Sequence, residues 1–252
     1  MCLQKSHNVS NSYFDDLKRI ENEILSLVLE VNPKIVVDVG VGESTQNFIL
    51  DTMNFFIALD IDYGKLIKFS KENNLNKARL YKLEFICADA LYFPLRSSSI
   101  DLALFYFVLH EIDSRIHLEV LANIKKISRY ILIVEPTPNG TELYQKLCSV
   151  WHNAMKSIGR FEEYKQPEYW LQLLDKLNIY VVKKKIISWK VTVPYKVLET
   201  MIISWIKEWR QKGVPEKFTD QLKKILKEAK VKEFKWSDIF TVLASSSSSK
   251  HL

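Results

Sequence analysis

Between residues 34 and 136 the chain alternates five times between a short apolar run and a following segment. The runs are KIVVDV (34–39), NFFIALDID (54–62), YKLEFICADA (81–90), IDLALFYFVL (100–109) and RYILIVEP (129–136). KIVVDV is too apolar to be half exposed, which suits a central parallel strand, and the others read as the strands that follow it. STQNFILDTM, YGKLIKFSKENNL and HLEVLANIKKI, which lie between runs, read as helices. A chain of this pattern is constrained to a parallel sheet joined by right-handed crossovers, with helices packed on both faces.

The flanks extend the same unit. Ser12 followed by Asp15 resembles a capping box, and Phe14, Leu17, Ile20, Ile24, Leu27 and Val28 recur at helical spacing until Asn32-Pro33 interrupts them. Beyond Pro136, TELYQKLCSVWHNAMKSI, PEYWLQLLDKL, PYKVLETMIISWIKEWRQKG and FTDQLKKILKEA read as helices, IYVVKKKIISWKVTV as a long strand or hairpin arm, and SDIFTVLAS as a final strand. Val197, Met201, Trp205 and Trp209 form an apolar stripe that serves as core, lid or dimer contact. The expected organisation is a helical segment over 1–30, a Rossmann-like core over 31–140, a C-terminal part of the same domain over 141–244 with a helical cap at about 195–230, and a disordered tail over 245–252.

Composition narrows the setting. Hydrophobic residues make up 47% and charged residues 26%, the balance of a globular chain. Cys2, Cys87 and Cys148 form no CxxC pair, so neither a zinc ribbon nor a disulfide framework is supported. No metal-ligating set is read, since HEIDS has Ser114 where HExxH needs its second histidine. The N-terminus lacks an apolar signal region and no run is long enough to span a membrane, so a cytoplasmic protein is expected, as monomer or homodimer. The sequons NVS and NGT are then chance matches. A net charge of +6 tolerates a nucleic-acid partner without indicating one, because lysines in VVKKKII and LKKILKEAKVKEFK alternate with apolar residues as a solvated face does.

The first strand runs into a turn, DVGVGEST, that carries the chemistry. A dinucleotide turn follows G-x-G-x-x-G; here Gly40 and Gly42 fit, but the third position is Thr45, and Asp38 and Glu43 would repel a pyrophosphate. S-adenosylmethionine (SAM) has no phosphate and carries a sulfonium and an ammonium group, so carboxylates at this turn suit it. The glycines allow the backbone to approach the ligand. Asp60 ends the second strand, where a carboxylate can accept both ribose hydroxyls, as it would for NAD. Asp89 ends the third, where it can accept from the adenine amino group, with Ile61 and Ala90 placed to pack on the ring faces. Each aspartate alone reads equally as a cap or turn residue; three at consecutive strand ends mark the ligand edge of an open α/β sheet.

VVDVGVGES, ALDID, ADALYFPLRSSSIDLALFYFVLHEI and ILIVEPTP together resemble a class I SAM-dependent methyltransferase, close to the group acting on small molecules, over roughly residues 13–140. The resemblance implies a seven-stranded sheet with an antiparallel last strand. It places Asp38, Gly40 and Gly42 around the methionine moiety, Asp60 on the ribose, Asp89 on the adenine amino group, and the backbone near Phe105 on the ammonium side. Val41 and Ser44 stand where the family usually has cysteine and a third glycine.

The acceptor is less constrained, since an activated sulfonium needs alignment more than a particular side chain. The fourth strand ends in FYFVLHEI, without the Asn/Asp-Pro-Pro-aromatic turn of exocyclic-amine methylation, and no Pro-Cys pair provides a nucleophile for cytosine C5. His110 is the candidate catalytic base, with Tyr13, Tyr106 and His152 behind it, and Glu135 reads as a strand end. The expected activity is methyl transfer to a small-molecule acceptor, with S-adenosylhomocysteine (SAH) as product. An RNA or protein methyltransferase, a SAM-binding protein without catalysis, and an NAD-dependent oxidoreductase are the rivals.

Overall fold

β-branched and aromatic residues set the strands, and their alternation decides which face each side chain meets. The computed structural model describes residues 11–72, 80 and 82–247. The strands are β1 (Ile35–Val39), β2 (Phe55–Asp60), β3 (Leu83–Cys87), β4 (Ile100–Tyr106), β5 (Ser128–Pro136), β6 (Tyr180–Ile187) and β7 (Ile239–Ser245). The helices are α1 (Asn11–Glu30), α2 (Tyr63–Glu72), α3 (His117–Ile127), α4 (Glu142–Ser157), α5 (Pro167–Lys176), α6 (Tyr195–Gln211) and α7 (Glu216–Glu228). One seven-stranded sheet runs in the order β3-β2-β1-β4-β5-β7-β6. Strands β1 to β5 pair in parallel, and β7 lies antiparallel between β5 and β6.

The period of two divides the core into two layers. Val36 packs on one face with Ile20, Ile24 and Leu27 of α1, Leu147 of α4, Leu198 and Ile202 of α6 and Leu222 of α7. Val37 and Val39 pack on the other with Val120, Leu121 and Ile124 of α3 and Trp170 and Leu174 of α5. The first helix therefore shares the core of the sheet. The order reverses between β1 and β4, creating the crevice at the strands' carboxyl ends where such sheets bind ligands.

Two expectations are corrected. The helix expected over STQNFILDTM is one 3-10 turn, Thr45–Phe48, followed by Ile49 in extended conformation. Its Thr45 hydroxyl bonds back to the glycine turn, as described below, and so is committed to closing that turn. The tail expected over 245–252 begins too early: Ser245 is the last residue of β7, opposite Tyr130 and Tyr180. Residues 248–252, like 1–10, lie outside the described residues.

The lysines of VVKKKII fall on β6, an edge strand, where charge discourages pairing with a second sheet. Lys183 pairs with Glu30, and Lys185 with Glu23 at 3.8 Å. Among the described residues no helix is long and apolar enough to cross a membrane.

Candidate cofactor and acceptor cleft

The turn after β1 is held together by side chains from two strand ends. Gly40 has φ +87°, and a Cβ there would lie 2.3 Å from Val108 Cγ2. Gly40 is thus required by its left-handed backbone and by the β4 loop packed against it. Gly42 is different: a Cβ there would meet nothing within 4 Å, so the space beside it is open to a ligand. Thr45 closes the turn, its Oγ1 accepting from Gly42 N at 3.0 Å and donating to Asp38 Oδ2 at 2.6 Å. In the dinucleotide pattern Thr45 replaces a glycine; here it is the residue that positions Asp38.

Asp38 is buried, and its Oδ1 has no hydrogen-bond partner. Burial pushes its carboxyl up to about 7, opposed by the Thr45 hydroxyl and assisted by the nearby negative charge of Asp60. Tyr106 stands on the same side, bonded to Ser44 and pushed up to about 12, chiefly by burial. Its ring packs on Phe48 and Phe107 with centroids 5.1 and 4.5 Å apart. Glu43 is exposed.

Asp60 is buried at the end of β2 and accepts from Val41 N at 2.9 Å on Oδ2 and from Asp62 N at 2.7 Å on Oδ1. Each oxygen retains a further lone pair. Asp89 lies two residues past the end of β3 and accepts from Leu91 N at 2.8 Å, so it is a turn residue whatever else it does. Asp60, Ile61, Asp89 and Ala90 line one cleft with Gly40 and Val108, of about 530 Å³. Ile61 is 69% exposed, an apolar side chain left for something flat to cover.

Asp38, Gly42, Phe105 and His110 are not among the residues lining this cleft. The Phe105 side chain is fully buried in the core between sheet and helices. The residues that carry the end of β4 toward the cleft are Val108 and Glu111. The turn leading there is strained, with Phe107 at φ +54°. Glu135 holds it: Oε1 accepts from Val108 N at 3.0 Å and Leu109 N at 2.7 Å. Buried His117 Nε2 adds contacts to the carbonyls of Leu109 and Ile112 at 2.9 and 3.0 Å.

His110 rides on this turn. Its Nδ1 lies 2.6 Å from Glu135 Oε2, its ring stacks on Tyr164 at 5.0 Å, and its Nε2 faces Glu162 Oε1 at 3.7 Å. Burial works against its charge, but Glu135, Glu162 and Glu111 outweigh burial and raise the imidazole to about 9. It therefore already carries a proton at neutral pH, which disfavours the role of general base expected for it. Glu162, which is buried and hydrogen-bonded by the Tyr164 hydroxyl, is pushed up to about 7 by burial. The segment that carries it is tied down by Glu163 N to His110 O at 2.8 Å, and by His152 Nδ1 to Glu162 O at 2.6 Å. Tyr13 stacks on Trp189 at 5.5 Å and accepts from Trp236 Nε1 at 3.1 Å, within the α1 side of the core.

The far wall is aromatic. Trp151 of α4 and Trp209 of α6 meet at 5.0 Å and 74°, and both line the cleft with Met155, Phe161 and Glu162. Trp209 is at once core and wall; Trp205 packs edge-on against Trp151 at 4.7 Å. Glu135 and Glu162 escaped sequence reasoning because contacts across 25 and 52 positions bring them to His110.

Carboxylates at three strand ends and a glycine turn thus meet at the reversal of strand order in an open α/β sheet. Residues 37–130 match the family model described as a methyltransferase domain. The fold is similar to that of the YcgJ protein from Bacillus subtilis, with TM-score 0.59 and 12% identity over 89% of this chain and 98% of that one. It is also similar to an S-adenosylmethionine-dependent methyltransferase from Mesorhizobium loti, with TM-score 0.54 and 11% identity over 89% and 96%. The 4+2 cyclase SpnF shares the fold too, with TM-score 0.61 and 12% identity over 96% and 84%. At such identities these likenesses concern the fold. No curated protein matches the sequence significantly.

Proposed function

We propose that the protein transfers a methyl group from SAM to a small-molecule acceptor bound in the cleft. The observation that carries this reading is Asp38, a buried carboxylate with one oxygen lacking any partner at the end of the first strand. A buried carboxylate without a counter-charge is costly. An ammonium and a sulfonium would offset that cost, whereas a pyrophosphate would add to it. When bound, SAM supplies a methyl group already activated on sulfur.

The chain's own residues hold and enclose. Asp60 would accept ribose hydroxyls on the lone pairs that its two backbone bonds leave, and Asp89 would accept from the adenine amino group. Ile61 and Ala90 would cover the ring faces, while the open side of Gly42 leaves room for the approach. Trp151, Trp209 and Phe161 would enclose the acceptor and exclude water, so that alignment supplies most of the rate.

A small molecule is favoured over RNA by the charges of the cleft. Of the three basic residues lining the cleft, Lys65, Arg160 and Lys212, acids already engage two: Lys65 lies 3.7 Å from Glu111, and Lys212 is paired with Glu208. A phosphodiester backbone would instead draw on unpaired cations. Incubation with methyl-labelled SAM and a metabolite extract should transfer label to the small-molecule fraction. Label found only in RNA or protein, or remaining wholly in SAM, would contradict this reading.

A further inference from the structure

His110, Glu111 and Glu162 form a cluster that methyl transfer from a sulfonium does not itself require. One imidazole nitrogen and one carboxylate oxygen from each acid lie within 4.8 Å of one another. Two ligands at about 2.1 Å from one metal ion stand roughly 3.0–3.5 Å apart. The 3.7 Å between His110 Nε2 and Glu162 Oε1 is close to that, and half-exposed Glu111, 3.7 Å from Lys65 Nζ, completes the set.

Two further observations point to a ligand. His110 is only 8% exposed, yet its Nε2 makes no hydrogen bond among the described residues; its single bond is through Nδ1 to Glu135. Glu135 also accepts two backbone N–H groups, so it acts as a fixed acceptor that keeps the proton on Nδ1 and directs Nε2 at Glu162. A carboxylate behind a histidine in this way is the usual outer support of a metal-ligating imidazole. The carboxylates of Glu135, Glu162 and Glu111 all lie around this one imidazole.

We propose that His110, Glu111 and Glu162 bind a divalent cation on the wall of the cleft, with Glu135 orienting His110. One nitrogen and two oxygens suit Mn²⁺, Co²⁺ or Zn²⁺ better than Ca²⁺, which prefers an all-oxygen shell. The cation takes the place of a proton at His110 Nε2. Its remaining positions face the cleft, where they accept a lone pair of a bound molecule; that this molecule is the methyl acceptor rests on the proposed function, and the metal site does not. No sequence spacing marks the set, because the fold brings Glu162 across 51 positions to its neighbour Glu111.

The test is titration of the chelator-stripped full chain with Co²⁺, followed by calorimetry and by visible d–d absorption, with SAH binding measured on each protein. The expected result is one Co²⁺ per chain with new d–d bands. Glu111→Gln and Glu162→Gln should each weaken binding at least about tenfold, and Glu135→Gln by about 10–100-fold, as outer-shell changes do. Should Glu162→Gln fail to fold, Glu111→Gln decides, since it alters a half-exposed side chain. Wild-type protein that takes up no stoichiometric Co²⁺ at millimolar concentration would overturn the site, as would undiminished binding in the Glu111 variant. Co²⁺ uptake without SAH binding would leave the site standing and count against the cofactor reading instead.

Discussion

Asp38 concentrates the argument at the scale of single residues. Its carboxyl rises from the ordinary 3.8 to about 7, so the folded chain holds a proton that the unfolded chain releases between those values. Stability contributed by this residue therefore falls as pH rises through that window, by roughly 4 kcal/mol at about 1.4 kcal/mol per pH unit. A ligand ammonium favours the ionised form, against the neighbouring charge of Asp60 and beside Tyr106. SAH affinity should accordingly rise with pH and level off above 7, being about tenfold or more weaker at pH 5.5 than at pH 8. Asp38→Asn should flatten that profile, as calorimetry at the two pH values would show. The two glycines separate fold from ligand. Gly40→Ala meets both a positive φ and Val108, and should cost roughly 3 kcal/mol in urea unfolding. Gly42→Ala meets no protein atom and should leave the urea midpoint nearly unchanged while weakening SAH binding.

At the scale of elements, α6 and the turn after β1 are the informative pieces. Trp209 is 1% exposed and should cost about 3–5 kcal/mol when cut to alanine, whereas the half-buried Trp205 should cost less and spare SAH binding. Thermal unfolding of the two variants would check the order. β1, β2, β4 and β5 were legible because an unbroken apolar run is buried, whereas edge strand β3 leaves Glu84, Phe85 and Cys87 exposed; α3 was legible because its apolar positions repeat at helical spacing. The segment over 44–53 was not, because helical periodicity is silent about a hydroxyl that leaves its helix to bond a strand end, as Thr45 does with Asp38. Asp60 and Asp89 were legible as strand-end acids. Both are backbone-bonded turn residues, so the structural reading holds at each, and ligand binding is the proposed further role.

At the scale of the molecule, the reversal of strand order brings β1, β2, β3 and β4 to one edge, and α4 and α6 close over it. The strand-end side of the cleft, proposed to take the cofactor, comes from local motifs that sequence displays. The opposite wall, proposed to take the acceptor, comes from Trp151, Glu162 and Trp209, brought together only by the packing of α4, the segment before α5, and α6. No spacing rule reports that packing. The claim at the centre is that this edge binds an adenosyl sulfonium amino acid. Calorimetry of the wild type with SAH, repeated on Asp60→Ala and Asp89→Ala, tests it most directly. The prediction is saturable one-to-one binding, weakened at least about tenfold by Asp60→Ala and less by Asp89→Ala, consistent with losing charge-assisted hydrogen bonds of roughly 1.5–3 kcal/mol. Absence of SAH binding, or binding that both substitutions leave intact, would contradict it.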